Sequence, residues 1–186
     1  MCGIAGIVQC SDHPAGEIVD RMTDAIRHRG PDGKGLWTCH TGKATLGHRR
    51  LAIIDLSEAA GQPMSYADRY HIVYNGEVYN FTELRDTLQK KGYTFRTVSD
   101  TEVILAAYDC YGASLPEQLD GMFAFAIWDQ HTQELFAARD RFGEKPFYYH
   151  VSPDNTNFLF ASEPKSFRAA GIDMSVNEGF LLGFLA

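Results

Sequence analysis

The residue types that could do chemistry begin at the amino terminus, where Cys2 follows Met1. Cysteine is small enough for the methionine to be trimmed, and the new terminus then carries a thiol and an α-amine on one residue. That amine titrates near pH ~8, so it can act as general base for its own thiol, directly or through one water, without a histidine. A thiolate attacking a carbonyl needs donors aimed at the oxyanion that forms. Asn75-Gly76 offers an amide side chain and an unobstructed backbone N–H; the same dipeptide also fits a hairpin turn, its commoner use. Arg50 lies beside the apolar stretch 51–54, where unpaired charge would be expensive, and its guanidinium fork suits a carboxylate. Glu77 and Asp100 are acids available to an ammonium. Each alone also reads as a surface charge, Asp100 also as a helix cap, and Met1-Cys2 alone as a cysteine packed at a strand edge. Together the set suits an amide substrate with a free amino-acid end.

Those residues need elements to position them. Residues 4–9 read as a short apolar strand, beginning almost as soon as the thiol has passed. Val19, Met22 and Ile26 recur at helical spacing and predict a helix from about 17 to 28, stopped by Gly30-Pro31-Asp32-Gly33. Residues 36–39 and 44–47 pair around Thr41-Gly42, and 70–74 form a further strand ending at Asn75-Gly76. Capping-box spacing at Asn80 and Glu83 opens a helix to about Lys91, ending at Gly92. Ser99 and Glu102 repeat the pattern before a helix that runs to Tyr111 and stops at Gly112. Residues 122–129 and 135–139 flank a polar turn, 147–150 and 158–161 give another strand pair, and Glu163-Pro164-Lys165 predicts a short final helix. Strand groups with helices between them make the fold α+β, with layered sheets and helices outside.

The 186 residues suffice for one sizeable core, and 45% hydrophobic with 22% charged residues is an ordinary folded mixture. A net charge of −7 argues against a nucleic-acid or acidic-lipid surface as the main partner. No apolar run is long enough to span a bilayer, and the start lacks the cationic flank and length of a secretory signal, so the cytoplasm is the expected location. Cys2, Cys10, Cys39 and Cys110 contain no Cys-x-x-Cys pair and signal neither a zinc nor a thioredoxin-type site. The last three read as small buried hydrophobes. The basic clusters Arg27-His28-Arg29 and His48-Arg49-Arg50 are too short for a polybasic patch and suit local structural or ligand roles. Residues 179–186 are apolar with no polar tail, as expected of a chain cut from a longer one.

A series of stretches carries a resemblance. It starts with Met1-Cys2-Gly3-Ile4-Ala5-Gly6, Arg27-His28-Arg29-Gly30-Pro31-Asp32-Gly33 and Gly47-His48-Arg49-Arg50-Leu51-Ala52-Ile53-Ile54-Asp55. Tyr74-Asn75-Gly76-Glu77-Val78-Tyr79-Asn80, Ser99-Asp100-Thr101-Glu102 and Leu119-Asp120-Gly121-Met122-Phe123-Ala124-Phe125 follow. Arg139-Asp140-Arg141-Phe142-Gly143-Glu144-Lys145-Pro146-Phe147-Tyr148-Tyr149 and Ala161-Ser162-Glu163-Pro164-Lys165 complete it. In this order, over nearly the whole chain, they resemble the class II, N-terminal-nucleophile glutamine amidotransferases, most closely the asparagine-synthetase branch.

The resemblance implies a four-layer αββα sandwich of two antiparallel sheets, as in N-terminal-nucleophile hydrolases, over residues 2–186. It implies that Cys2 attacks the γ-carboxamide of glutamine while Asn75 and Gly76 hold the oxyanion. Arg50 would bind the α-carboxylate, with Glu77 and Asp100 near the α-ammonium, and Leu51, Ala52, Ile53 and Ile54 would line the pocket. Ammonia leaves and water hydrolyses the glutamyl thioester to glutamate. This domain would need no metal or other cofactor. An ATP- and Mg-using synthetase domain, expected beyond residue 186, would spend the ammonia on a carboxylate: aspartate, giving asparagine, or another acceptor such as a sugar acid. No pyrophosphate or Walker-type loop lies within residues 1–186. Residues 139–149 would help pack against that domain, and a homodimer is compatible with the reading. Two rivals stand beside it: a binding domain with an idle Cys2, and a hydrolase of the same type acting on another amide. Against the second, Arg50, Glu77 and Asp100 suit a free amino acid.

Overall fold

Along β1 (Gly3–Gln9), Ile4 packs into one apolar cluster while Ala5 and Ile7 pack into another, so the strand is buried on both faces. The computed structural model describes residues 1–10, 15–52, 58–175 and 178–185. Among them, β1 is the middle strand of a five-stranded antiparallel sheet. It lies between β3 (Ala44–Arg50) and β9 (Asn157–Ala161), with β2 (Gly33–Thr38) and β8 (Tyr148–Val151) at the edges. A second antiparallel sheet runs β4 (Met64–Tyr66), β5 (Tyr70–Val78), β6 (Gly121–Asp129), β7 (Glu134–Arg139).

Three apolar clusters define the layers. Ile4, Leu46 and Phe160 of the first sheet meet Val73, Ala126 and Trp128 of the second. Ala5 and Ile7 face Val19 and Met22 of α1 (Gly16–Ala25) and Phe167 of α5 (Lys165–Ala169). Ile72, Phe125 and Ile127 face Leu84 and Leu88 of α2 (Phe81–Lys90) and Val103 and Ile104 of α3 (Asp100–Tyr111). The result is the expected αββα sandwich. Two further helices are the short α4 (Leu115–Gln118) and α6 (Glu178–Leu185). No helix among the described residues is long and apolar enough to cross a membrane.

Departures from the sequence-based expectation are local and have local causes. The first helix stops at Ala25, and Arg27–Arg29 form a tighter turn. There Arg29 and Gly30 donate N–H bonds to the Ile26 and Arg27 carbonyls, at 3.0 and 3.2 Å, that a helix end would leave bare. β5 does not end at Asn75-Gly76 but runs on to Val78, because β6 supplies Ala124 and Phe123 as partners. Asn80 makes no cap; its side chain accepts from the Asp120 N–H at 3.0 Å and donates to the Gln118 carbonyl at 2.9 Å, tying α2 to the entry of β6. Ser99 does cap α3, accepting from the Thr101 N–H at 3.1 Å, but Glu102 turns away to the Arg96 and Thr97 N–H groups. Gly92 and Gly112 end their helices at φ +94° and +57°, as read. Cys39 is buried, but Cys10 is exposed where the chain leaves β1, and Cys110 is only half-buried in the last turn of α3. The helix after Pro164 is not the last, since α6 follows it. β4 and α4, of 3 and 4 residues, are too short to show a period.

Phe160, stacked on Phe147 at 5.4 Å, is the largest fully buried side chain that the first sheet places in this inner layer. Phe160→Ala should cost about 3–5 kcal/mol, the range for a cavity left by a core aromatic. A urea titration should show the lower midpoint with the slope unchanged.

Candidate active site

Strand alternation brings the chemistry together. Ile4 and Leu46 point between the sheets, and the same parity carries Cys2 from the start of β1, and His48 and Arg50 from the end of β3, toward that gap. On β5, Val73 points inward, and so do Asn75 and Glu77. There a cavity of about 190 Å³ opens, lined by Cys2, Arg50, Leu51, Ala52, Asn75, Gly76, Glu77 and Asp100. Ordinary ligand pockets run from about 300 to 1,000 Å³, so this one is scaled to something the size of an amino acid. Ile53 and Ile54, expected in the same wall, lie outside the described residues.

The Cys2 sulfur accepts the Leu51 N–H at 3.4 Å and its thiol reaches back to the Leu51 carbonyl at 3.6 Å. Burial pushes the thiol above its ordinary value, with the Leu51 bond and the nearby Arg50 charge pulling the other way. The thiol is therefore protonated at neutral pH and needs a base before it can attack. Its backbone is pinned. Arg29 Nε donates to the Cys2 carbonyl at 2.9 Å, and two residues on, the Ile4 N–H donates to Ser162 Oγ at 3.0 Å while the Ser162 N–H returns to the Ile4 carbonyl at 2.9 Å. Arg29 is itself held by Glu163 at 3.0 Å, which also takes His28 and Lys165 at 2.9 Å each. Burial alone would raise the Glu163 carboxyl, but bonds from Lys165, Arg29 and His28 outweigh it and hold the group at about 2.

Asn75 and Gly76, expected as the oxyanion pair, both line the cavity. Asn75 is buried, and its Nδ2, a donor, has no partner among the described residues. At Gly76 a side chain is impossible, because a Cβ would sit 2.3 Å from the Met122 carbonyl oxygen and 2.7 Å from the Tyr74 ring. Asp100 is the first residue of α3 and leaves the cap to Ser99. Its Oδ2 accepts the Tyr74 hydroxyl at 2.8 Å and the Val78 N–H at 3.3 Å. Burial raises this carboxyl, and those two bonds oppose the rise.

Gln62, Lys145 and His48 also line the cavity, beyond the residues expected there from sequence. Gln62 accepts the Tyr74 N–H through Oε1 at 2.6 Å, continuing the pairing that β4 provides further along β5. Lys145 is buried, with Nζ 3.7 Å from the Met1 sulfur. His48 is buried with Nε2 3.2 Å from the Tyr74 carbonyl; burial, aided by Arg50 and opposed by that bond, lowers the ring to about 3. Only His48 carried a usable signal: it shares its strand parity with Arg50.

A family model described as a glutamine amidotransferase domain matches residues 1–186. The chain belongs to the glutamine amidotransferase family. Asparagine synthetase [glutamine-hydrolyzing] 1 of Bacillus subtilis is 44% identical to this amidotransferase chain over 193 residues, covering 100% of it and 29% of the relative. Amidase chry2 of Gibberella zeae is 38% identical over 185 residues, covering 93% and 27%. The chain thus spans less than a third of these curated relatives. Among solved structures, the glutamine phosphoribosylpyrophosphate amidotransferase of B. subtilis, complexed with ADP and GMP, superposes with a TM-score of 0.77 at 25% identity. The match covers 91% of this amidotransferase chain and 44% of that one, and it shows the same sandwich.

The anchor behind Cys2 can be tested by pH. The folded-state value of Glu163, about 2, lies below its ordinary 4.5, so the group contributes stability above pH 4.5 that is lost as pH falls through about 2. Glu163→Gln should lower Tm at pH 7, and the gap to the parent should close between those two values. A gap that stays constant with pH would mean that the carboxylate charge does not hold the anchor.

Proposed function

We propose that this domain hydrolyses glutamine to glutamate and ammonia through a glutamyl thioester on Cys2, after Met1 has been removed. The observation that carries the reading is the buried, unpartnered Asn75 Nδ2 beside Gly76, in the same cavity as the Cys2 thiol. A buried donor left bare costs about 1–3 kcal/mol, and an oxygen that becomes negative in the transition state is the group that would recover it.

The steps use the chain's own groups. The free Cys2 amine takes the thiol proton, and the sulfur attacks the γ-carbonyl carbon. Asn75 Nδ2 and the Gly76 N–H hold the oxygen while the amine returns its proton to the departing nitrogen, and ammonia leaves. The same amine then activates water, which cleaves the thioester, releases glutamate and restores the thiol. Arg50 holds the α-carboxylate, Glu77 and Asp100 face the α-ammonium, and Leu51 and Ala52 form part of the wall. With Met1 attached the Cys2 nitrogen is a peptide N–H and no base exists.

In the full-length protein the ammonia would pass to an ATP- and Mg-using domain and amidate a carboxylate, aspartate before other acceptors. Relatives named as glutamine-hydrolyzing asparagine synthetases, of which this chain covers 28–35%, support that reading. Phe142 and Tyr149, 91% and 66% exposed, would offer that domain an apolar contact. A reducing cytoplasm suits a free catalytic thiol.

Incubating Met1-free protein with glutamine and measuring glutamate tests the core of this. Cys2→Ala should abolish turnover, as should retention of Met1. Asn75→Ala should lower kcat by about 10²–10³-fold with little change in KM, the signature of a donor that acts in the transition state. No turnover by the parent, or turnover indifferent to Cys2→Ala, would leave a binding domain with an idle thiol.

A further inference from the structure

His48 is the other cavity residue with an unanswered polar atom. It lies at the end of β3 on the face that points between the sheets, is 1% exposed, and lines the cavity with Cys2 and Asn75. Its Nε2 is 3.2 Å from the Tyr74 carbonyl oxygen, which can only accept, so Nε2 carries the hydrogen. Burial keeps the ring neutral at any working pH. A neutral imidazole has a single N–H, which leaves Nδ1 as a bare lone pair, and Nδ1 has no partner among the described residues. Two residues that line the cavity thus carry buried orphans of opposite kind, a donor on Asn75 and an acceptor on His48.

A primary carboxamide carries the matching pair, an acceptor oxygen and N–H donors. A carboxylate carries acceptors only. We propose that His48 selects the amide, its Nδ1 accepting an N–H of the glutamine side chain while Asn75 takes the oxygen, so that glutamine is preferred to glutamate. This rests on the glutaminase reading above. So weakly basic a ring takes the hydrogen bond without the proton and does not compete with the terminal amine as base. After hydrolysis the same lone pair opposes the new carboxylate oxygen, which favours release of glutamate. A site built to bond an N–H rejects an analogue lacking it, because its own buried group is left unpaired.

The test uses the full-length protein beginning at Cys2, with glutamine and with the γ-methyl ester of glutamate, which keeps the carbonyl but has no N–H. His48→Gln places a donor near the position of Nε2, preserving the bond to Tyr74, and removes the Nδ1 acceptor. It should lose about tenfold more kcat/KM on glutamine than on the ester, the scale of one hydrogen bond, and glutamate should become a stronger inhibitor. His48→Asn places an acceptor near Nδ1 and gives up the Tyr74 bond; it should keep the amide-to-ester ratio of the parent even where both rates fall. Equal losses on amide and ester in His48→Gln, with glutamate inhibition unchanged, would overturn the proposal and leave His48 as a strut under Tyr74. Should His48→Gln not fold, the ratio in His48→Asn decides: retained, it supports selection, and collapsed, it overturns it. A folded parent that turns over neither substrate would instead defeat the glutaminase reading itself.

Discussion

A nucleophile on the first residues of a chain is only as well placed as the terminus that carries it, and termini ordinarily fray. Here the terminus is held by being the central strand. β1 exchanges backbone bonds with β3 on one side and β9 on the other, and its side chains are buried against both neighbouring layers. The Arg29 bond to the Cys2 carbonyl extends that grip one residue past the ladder, to the atom group that matters. Arg29 in turn depends on Glu163, because a side chain 8% exposed needs a counter-charge that stays ionised. The fold can therefore present a terminal thiol as rigidly as an internal one.

The second sheet answers the first through the period of two. Facing sheets stand about 10 Å apart, close enough for side chains of like parity to share a space but not for backbones to meet. Cys2 and Arg50 from one sheet and Asn75 and Glu77 from the other meet at the same end of the sandwich. Asp100 arrives differently, from the first turn of an outer helix, through the Tyr74 hydroxyl and the Val78 N–H of β5. Gln62 ties Tyr74 to Thr101, beside Asp100, with bonds of 2.6 and 3.4 Å. The strand that bears Asn75 and Gly76 and the helix that bears Asp100 are thus one mechanical unit.

What could be read in advance was what neighbours in sequence decide. Most strands and the helix stops at Gly92 and Gly112 follow from local pattern, and Cys2, Asn75, Arg50, Glu77 and Asp100 stand out by chemical type. The element pattern suggested layered sheets with helices outside, but their number, two, and the four-layer order came only with the family resemblance. Where local preference met a long-range partner, the partner won. Asn75-Gly76 has strong turn propensity, yet β6 offers each residue a partner and the strand continues. Asn80 has the spacing of a cap, yet the backbone at 118–120 claims its side chain. Cys10 looked buried by type, but its position just past the sheet leaves it exposed. Lys145 was invisible as a site residue because nothing adjacent in sequence reveals which face of the gap it reaches, whereas His48 shares the strand parity of Arg50.

An unpartnered buried polar atom does not by itself mark a functional site. Trp128 Nε1 and His71 Nε2 are orphaned in the same way, yet neither residue lines the cavity beside Cys2. Such atoms cost about 1–3 kcal/mol each, and the surrounding packing bears that cost wherever a large side chain is worth more for its apolar bulk. Trp128, fully enclosed between the sheets, is such a case. Asn75 and His48 offer no comparable apolar return, so packing does not account for them. Both residues line a common cavity, one with a buried donor and one with a buried acceptor left over, on strands of different sheets. A core selected for stability alone would replace or pair them, and a ligand that carries both an acceptor and a donor is matched to the two at once.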